Sequence, residues 1–338
     1  MQRVALGRTD LEVTRLGLGL APIAGLYSAV SEEQARATID HAWSRGVRYF
    51  DTAPLYGYGH SERRAGRALA DRPRAEFTLS TKVGRLLRAA GEDAPARGVT
   101  ERSEEAPQGA PEAAQEFWSG VEQGIAPVFD FSAAGVASSL AESLDRLNLS
   151  HVDIAFIHDP DDHLPQALAE AAPTLERLRA EGRVGAIGVG ANSAEVLARC
   201  IREADLDCVL LAGRYTLLDQ VALDELLPLA QARGVAVIAA GVFNSGILAD
   251  PRPGVTYNYE PATAEILARA QALREVCARF DVPLRTAAVQ FPLRHPAVVS
   301  VLVGARSPAE VDDAVDAITA PVPAALWTAL ADEGFIRE

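Results

Sequence analysis

The sequence predicts an α/β fold: a closed (β/α)8 barrel of the TIM type, with an N-terminal β-hairpin and a long loop insertion after the third strand. Short apolar runs of strand character alternate one for one with segments of helical period. Strict alternation implies parallel strands joined by right-handed crossovers, and eight such units suit a closed barrel of about 250 residues plus insertions. The competing architecture, an open doubly wound sheet, wants a Gly-x-Gly-x-x-Gly turn after its first strand. The segment Gly17-Leu18-Gly19-Leu20-Ala21-Pro22 is not that turn.

The hairpin comes first, with Arg3 to Ala5 and Glu12 to Thr14 around a turn at Gly7-Arg8. Barrel strands are expected near 16–20, 48–51, 77–82, 152–157, 185–189, 207–211, 235–240 and 298–303. Helices are expected near 32–44, 61–70, 132–147, 165–180, 193–203, 219–232, 262–280 and 308–318, several opened by Ser or Asp and closed by Gly. Residues 88–127 break the rhythm, being rich in Gly, Pro, Ala, Glu and Arg, with few apolar residues before Phe117-Trp118. A plain βα connection takes about 2 to 6 residues, so this stretch reads as a lid-like or partly disordered insertion over a site. Trp118 either reaches over a substrate or pins the loop to the barrel. Length allows one large domain or two modest ones, and the alternation favours a single barrel domain over 1–338.

A net charge of -14 argues against nucleic acid, whose phosphates need clustered Lys and Arg. With 49% hydrophobic and 23% charged residues the chain has ordinary globular composition. Cys200, Cys208 and Cys277 are too few and too scattered for a disulfide framework or a metal site. No secretion signal and no stretch of about 18 apolar residues is visible. The expectation is a reduced, cytoplasmic protein with a small-molecule substrate, no nucleic-acid partner, no membrane and no metal; the oligomeric state cannot be read.

The run Val47 to Glu62, VRYFDTAPLYGYGHSE, carries the most chemistry, because it sets a carboxylate and a phenol five residues apart where a buried strand ends. Asp51 leaves the sheet at its C-terminal edge and Tyr56 lies on the next loop. Lys82 ends FTLSTK and His158 ends VDIAFIH. Each alone has an ordinary explanation as a helix cap, a solvated cation or a satisfied polar group. In a barrel, however, the ends of strands two, three and four are neighbours on one rim, where ligands and chemistry sit. A phenol has a pKa near 10 and exchanges protons poorly at neutral pH unless a cation favours the phenolate. Lys82 supplies that cation, Asp51 holds it in place, and His158 orients a substrate oxygen.

With those residues in view, the chain resembles the aldo-keto reductases through GVRYFDTAPLYGYGHSERRAGRAL, the lysine in LSTKVGRLL, the histidine in DIAFIHDPDD, and GAIGVGANS. The resemblance runs from about Gly7 to Ile318, and LAGRYTLLDQ and FNSGILA place it near the branch that oxidises D-threo-aldoses, L-fucose and L-galactose. It implies a catalytic tetrad at Asp51, Tyr56, Lys82 and His158. It also implies a nicotinamide cofactor, with Asn192 on the carboxamide beside Gly190 and Ala191. Three positions depart from the family pattern: Ala191 replaces Ser, Ala212 replaces Gln, and Ala240 replaces the aromatic that stacks under the nicotinamide. Phe243 or Tyr215 would rebuild that stack. Asn244-Ser245-Gly246-Ile247-Leu248 matches the loop whose backbone N–H groups hold the pyrophosphate.

VLVGARSPAEVDDAV, which includes Asp313, matches the segment at the adenine end that selects between NADP and NAD. Gly304 and Glu310 stand where NADP-dependent relatives carry basic residues, and a carboxylate near a 2'-phosphate is repulsive. NAD is therefore expected over NADP, with Arg306 left as a candidate partner for a phosphate. The activity implied is oxidation of a cyclic hemiacetal to its lactone by hydride transfer. An aldose oxidised at C1 comes first, and pyridoxal, oxidised to 4-pyridoxolactone, comes second. The rival from another class is a non-catalytic, cofactor-binding barrel like the β-subunits of potassium channels.

Overall fold

The computed structural model describes residues 1–89, 118–119, 124–258 and 260–337. A hairpin of β1 (Arg3–Ala5) and β2 (Glu12–Thr14) precedes the barrel, paired antiparallel from Arg3 with Thr14 to Ala5 with Glu12. In chain order follow β3 (Leu16–Gly19), α1 (Glu32–Ser44), β4 (Tyr49–Asp51), α2 (His60–Leu69) and β5 (Thr78–Val83). Next come β6 (Arg85–Ala89), β7 (Ile125–Phe129), α3 (Ala133–Leu147) and β8 (Val152–His158). A helix in pieces, α4 (Leu164–Gln166) and α5 (Ala172–Ala180), leads to β9 (Val184–Ala191), α6 (Ala194–Glu203), β10 (Cys208–Ala212), α7 (Leu226–Arg233) and β11 (Ala236–Ala240). The chain ends with the short pair β12 (Thr256–Tyr257) and β13 (Glu260–Pro261), α8 (Ala264–Ala278), α9 (Leu284–Gln290), β14 (Val298–Gly304), α10 (Pro308–Thr319) and α11 (Ala324–Asp332). Eight strands form one closed barrel in the order β10-β11-β14-β3-β4-β5-β8-β9, which is chain order around the ring. The expected (β/α)8 architecture is the one found.

The chain divides into two compact units. One holds residues 18–188 and 304–311. Here Ser31 caps α1 by accepting from the Gln34 N–H at 3.1 Å, with Glu32 and Glu33 in the positive first turn. Gly46 then turns with φ 85°, and its N–H and that of Val47 return to the Trp43 and Ala42 carbonyls, closing the helix as Arg45-Gly46 suggests. Parallel pairing sets Asp51 of β4 opposite Ser80 of β5, and Lys82 of β5 opposite Phe156 of β8. All residues of β5 and of β8 are buried, as parallel strands covered on both faces require.

The other unit holds residues 1–17, 189–303 and 312–338. Its strands β10 and β11 pair in parallel from Cys208 with Ala236 to Ala212 with Ala240. Cys200, Cys208 and Cys277 are free and buried. Among the described residues no single helix is long and apolar enough to cross a membrane.

Several elements differ from expectation. The helix expected at 219–232 begins only at Leu226, because the Thr216 hydroxyl accepts from the Leu218 and Asp219 N–H groups, and Asp219 accepts from Val221. These local bonds compete with a helix. The helix expected at 165–180 is interrupted by π geometry over Ala167–Ala171. Pro173 supplies no N–H, and its ring crowds the carbonyl four residues earlier. Helices α9 and α11 were not expected, being short segments behind Pro283 and Pro323. Finally, the ends of the 88–127 insertion belong to a hairpin, β6 on β7, in register from Arg85 with Phe129 to Ala89 with Ile125. The expectation of a lid or disorder over 90–117 and 120–123 lies outside the described residues.

Candidate active site

Asp51 is the last residue of β4, and the chain behind it turns at once. The Tyr56 N–H returns to Ala53 at 3.1 Å, and the Tyr56 carbonyl accepts from Ser61 in α2 at 3.2 Å, so the phenol is held between strand and helix. Gly57 lies in this turn at φ 57°, and a Cβ there would meet the Ala24 carbonyl at 2.7 Å. Only glycine fits both demands.

Lys82 is the only lysine in the sequence, and its side chain is 2% exposed. Its three ammonium protons have three acceptors: Asp51 Oδ2 at 2.7 Å, the Thr52 carbonyl at 3.0 Å and Tyr56 Oη at 3.0 Å. Asp51 is braced on its other oxygen by the Ser80 hydroxyl at 2.7 Å. Having given its proton to Asp51, Ser80 accepts from Tyr49 Oη at 3.2 Å. Sequence reasoning missed Tyr49 and Ser80, yet the signal was present: each lies two residues before a tetrad member, on the same face of its strand.

His158, the last residue of β8, sets its ring edge-on to Tyr56 at 6.1 Å and 89°. The Trp118 ring lies 5.9 Å from Tyr56 on another side. Its own segment is tied down by a bridge from Trp118 to Leu26 and by Ser119 N–H to the Gly25 carbonyl at 2.8 Å. Trp118 therefore walls the phenol, and residues 118–119 are tied to Gly25 and Leu26. The four tetrad residues come together as expected.

The charge balance is less simple than the sequence suggested. Burial pushes the Tyr56 phenol up to about 12, even though the Lys82 ammonium pulls it down. The cation moderates the phenol without bringing it near neutrality. Burial also opposes the Lys82 charge, but Asp51, seconded by Tyr56, outweighs it and raises Lys82 to about 12. Burial, then Arg85 and Lys82, hold His158 well below its ordinary range, so the ring is neutral and able to donate one N–H. At neutral pH the site thus sets a neutral phenol, an ammonium and a neutral imidazole beside Asp51.

A second ion pair adjoins this cluster. Arg85, 4% exposed, holds Asp159 Oδ2 at 2.7 Å, and its guanidinium lies 4.8 Å from the centre of the Phe129 ring. Gly84 at φ 97° makes the bend that brings Arg85 there, and a Cβ on it would overlap Phe131 at 2.2 Å. Arg85 lies three residues after Lys82, but nothing in the sequence marks it as buried.

The residues expected to hold a cofactor are placed as follows. Asn192 directly follows β9 and is partly exposed. Tyr215 is buried with its ring 5.0 Å from Phe291 and 6.3 Å from His295, whereas Phe243 is half-buried. Of the two candidates for the ring stack, Tyr215 is therefore already packed. Asn244 is also committed: Nδ2 donates to the Gly213 carbonyl at 3.1 Å and to Asn258 at 3.0 Å. Its Oδ1 is buried without a hydrogen-bond partner.

The amides of Asn244, Gly246 and Leu248 close turns onto Gly241 and Phe243 inside their own loop. The pyrophosphate role expected of all these N–H groups is narrowed accordingly. Even so, Asn244, Ser245 and Gly246 all have positive φ, at 45°, 60° and 104°. Left-handed conformation costs about 1 to 3 kcal/mol for each non-glycine residue and gathers at ligand sites. In the other unit, Gly304 ends β14, and a Cβ on it would meet Pro22 at 2.7 Å. Arg306 is paired with Glu310, Nε to Oε1 at 3.1 Å, and donates to Ser28 Oγ at 2.9 Å. Glu310 Oε2 also accepts from the Arg306 backbone N–H at 2.9 Å while Ser307 Oγ accepts from Glu310, a variant of the capping box at the start of α10. Asp313 is paired with Arg285.

A parallel barrel that gathers a phenol, an ammonium, a carboxylate and an imidazole at its strand ends defines a class of oxidoreductase. Comparison with known proteins agrees: the aldo/keto reductase family matches residues 15–332. The chain is 44% identical to a pyridoxal 4-dehydrogenase of Microbacterium luteolum, covering 99% of this chain and 98% of that one. It is 41% identical to a D-threo-aldose 1-dehydrogenase of a Pseudomonas species, covering 98% and 97%. Among solved structures it resembles an aldo-keto reductase from Bacillus halodurans in its holo form, with a TM-score of 0.76 and 26% identity over 98% of this chain and 96% of that one. The chain belongs to the aldo/keto reductase family. It is an oxidoreductase that works with a nicotinamide cofactor on a small-molecule substrate.

Proposed function

We propose that the protein oxidises a cyclic hemiacetal to its lactone with NAD, acting on an aldose at C1. The observation that carries the chemistry is the Lys82 tripod, which places an ammonium 3.0 Å from a partly exposed phenol. When bound, the nicotinamide supplies the hydride acceptor at C4. Tyr56, as phenolate, takes the hydroxyl proton while the carbinol C–H bond breaks and its electron pair leaves with the hydrogen; the C=O bond forms at that carbon. Lys82 stabilises the phenolate, and neutral His158 holds the substrate oxygen by donating its N–H. The proton then leaves Tyr56 for solvent, which returns the phenolate. A hemiacetal carbon already bears two oxygens, so no water is needed and the product is a lactone.

Asn192, Phe243 and Ser245 would hold the nicotinamide half and the pyrophosphate, and Arg306 the adenosine end. The left-handed run at Asn244, Ser245 and Gly246 supports a ligand there. The pairing of Arg306 with Glu310 supports NAD over NADP, because the carboxylate neutralises the cation that a 2'-phosphate would need. A second substrate, pyridoxal in its cyclic hemiacetal form, is favoured by the relative at 44% identity. NAD reduction measured side by side on L-fucose, D-arabinose, L-galactose and pyridoxal decides between them. Lactone should precede free acid in early samples by mass spectrometry, and acid at the first turnover would remove the ring-form mechanism.

A further inference from the structure

The Arg85–Asp159 pair is left unused by the chemistry above, and its arginine is the deeper member, as in the Arg64–Glu32 pair. In two other buried pairs the carboxylate is the deeper member: Glu62 is 0% exposed against 13% for Arg146, and Asp153 is 12% against 26% for Arg74. Here the order is reversed, with Arg85 at 4% and Asp159 at 33%. Burying a guanidinium away from water is costly unless it is well paired, and this one fixes a carboxylate that faces outward. Asp159 has φ 42°, a left-handed conformation that sets the carboxylate directly behind the end of β8. The oxygen bound to Arg85 lies 3.5 Å from His158 Nε2. The imidazole that orients the reacting oxygen thus stands beside an anchored acceptor, close enough for both to meet neighbouring oxygens of one substrate.

Resting on the hemiacetal reading, we propose that Asp159, anchored by Arg85, determines specificity by accepting a hydrogen bond from a substrate hydroxyl one or two carbons from the reacting carbon. In an aldose this is the C2 hydroxyl; in pyridoxal it is the phenolic hydroxyl at C3. A carboxylate has about four acceptor positions, so the ion pair with Arg85 and a substrate hydroxyl are compatible. A site built to bond a hydroxyl rejects the analogue that lacks it. For a bond to a charged acceptor, open in part to water, the discrimination is about ten- to a hundredfold in kcat/KM.

The test compares L-fucose with 2-deoxy-L-fucose, and pyridoxal with 3-deoxypyridoxal, on the wild type, Asp159→Asn and Asp159→Ala, with thermal melts to show that each variant is folded. The wild type should prefer the hydroxylated substrate by the factor above. Asp159→Ala should lose more activity on that substrate than on the deoxy analogue, so the preference falls to within a few-fold. Asp159→Asn, which keeps an acceptor oxygen and nearly the same shape, should fall between. An undiminished preference in Asp159→Ala, with both substrates depressed alike, would reduce Asp159 to a structural role. Failure of the wild type to reduce NAD with any hemiacetal would overturn the functional reading itself, and that result is read from the wild type before any variant is compared.

Discussion

Replacing Lys82 by Met removes the ammonium and leaves a chain of similar volume, so the loss is electrostatic. At 3.0 Å and an effective dielectric of about 20, an ammonium and a phenolate attract by roughly 5 kcal/mol, or about four pKa units. Asp51, 2.7 Å from the same nitrogen, no longer has its cation and then opposes the phenolate unscreened. The phenol, already at about 12, is driven out of the working range. Oxidation should fall by about 10² to 10⁴ at constant pH, the span expected for losing an effective general base. Breaking a buried ion pair from one side also costs about 3 to 5 kcal/mol of stability, with Ser80 left as a donor to Asp51. The assay is log kcat/KM for NAD reduction against pH, from mildly acidic to alkaline, together with thermal unfolding. The wild type should rise steadily with pH because its phenol is mostly protonated, whereas the variant should be slow throughout. Lys82→Arg, which keeps a cation, should recover part of the rate. If Lys82→Met melts earlier yet keeps the wild-type pH profile, the lysine is only a scaffold.

Tyr56→Phe should lower turnover at least about a hundredfold with little change in NAD affinity by titration; a near-normal rate would put the proton transfer elsewhere. Glu310→Gln should free the Arg306 cation and raise NADP use relative to NAD, and Arg306→Ala should damage NADP use more than NAD use. A wild type that already prefers NADP contradicts this reading of the adenine end. His158 is held neutral by burial and by Arg85 and Lys82. The unfolded chain therefore binds more protons below the ordinary histidine pKa of about 6.5, and folding stability drops as pH falls below that value toward the depressed native pKa. His158→Gln should flatten that part of the stability curve in urea melts; identical slopes would show that the ring titrates normally.

The barrel was legible because most of its strands are buried and read as short apolar runs, two of which, β4 and β8, end in a polar residue. Asp51, Tyr56, Lys82 and His158 could be named one by one for that reason, since strand ends fix position as well as composition. Arg85 and Asp159 could not, because the residues of that pair are 74 apart in sequence and the burial that gives the pair its meaning exists only in three dimensions. The start of α7 was misread because side-chain bonds from Thr216 and Asp219 compete with a helical pattern. The amides of Asn244, Gly246 and Leu248 promised an anion site by motif, yet the turns that consume them depend on φ values that a sequence leaves open.

Apart from the chain terminus, Lys82 carries the only primary amine of this protein, since every other Lys or Arg position is arginine. Reducing sugars and pyridoxal are aldehydes in their open forms and condense with free, unprotonated amines. The Lys82 nitrogen is buried, its three protons are engaged, and its charge persists to about pH 12. The folded chain thus offers such aldehydes no side-chain amine to condense with, and adduct formation should report unfolding. A single isotope-labelled lysine signal would likewise come from the active site alone, so magnetic resonance could follow its protonation through turnover with no assignment to make.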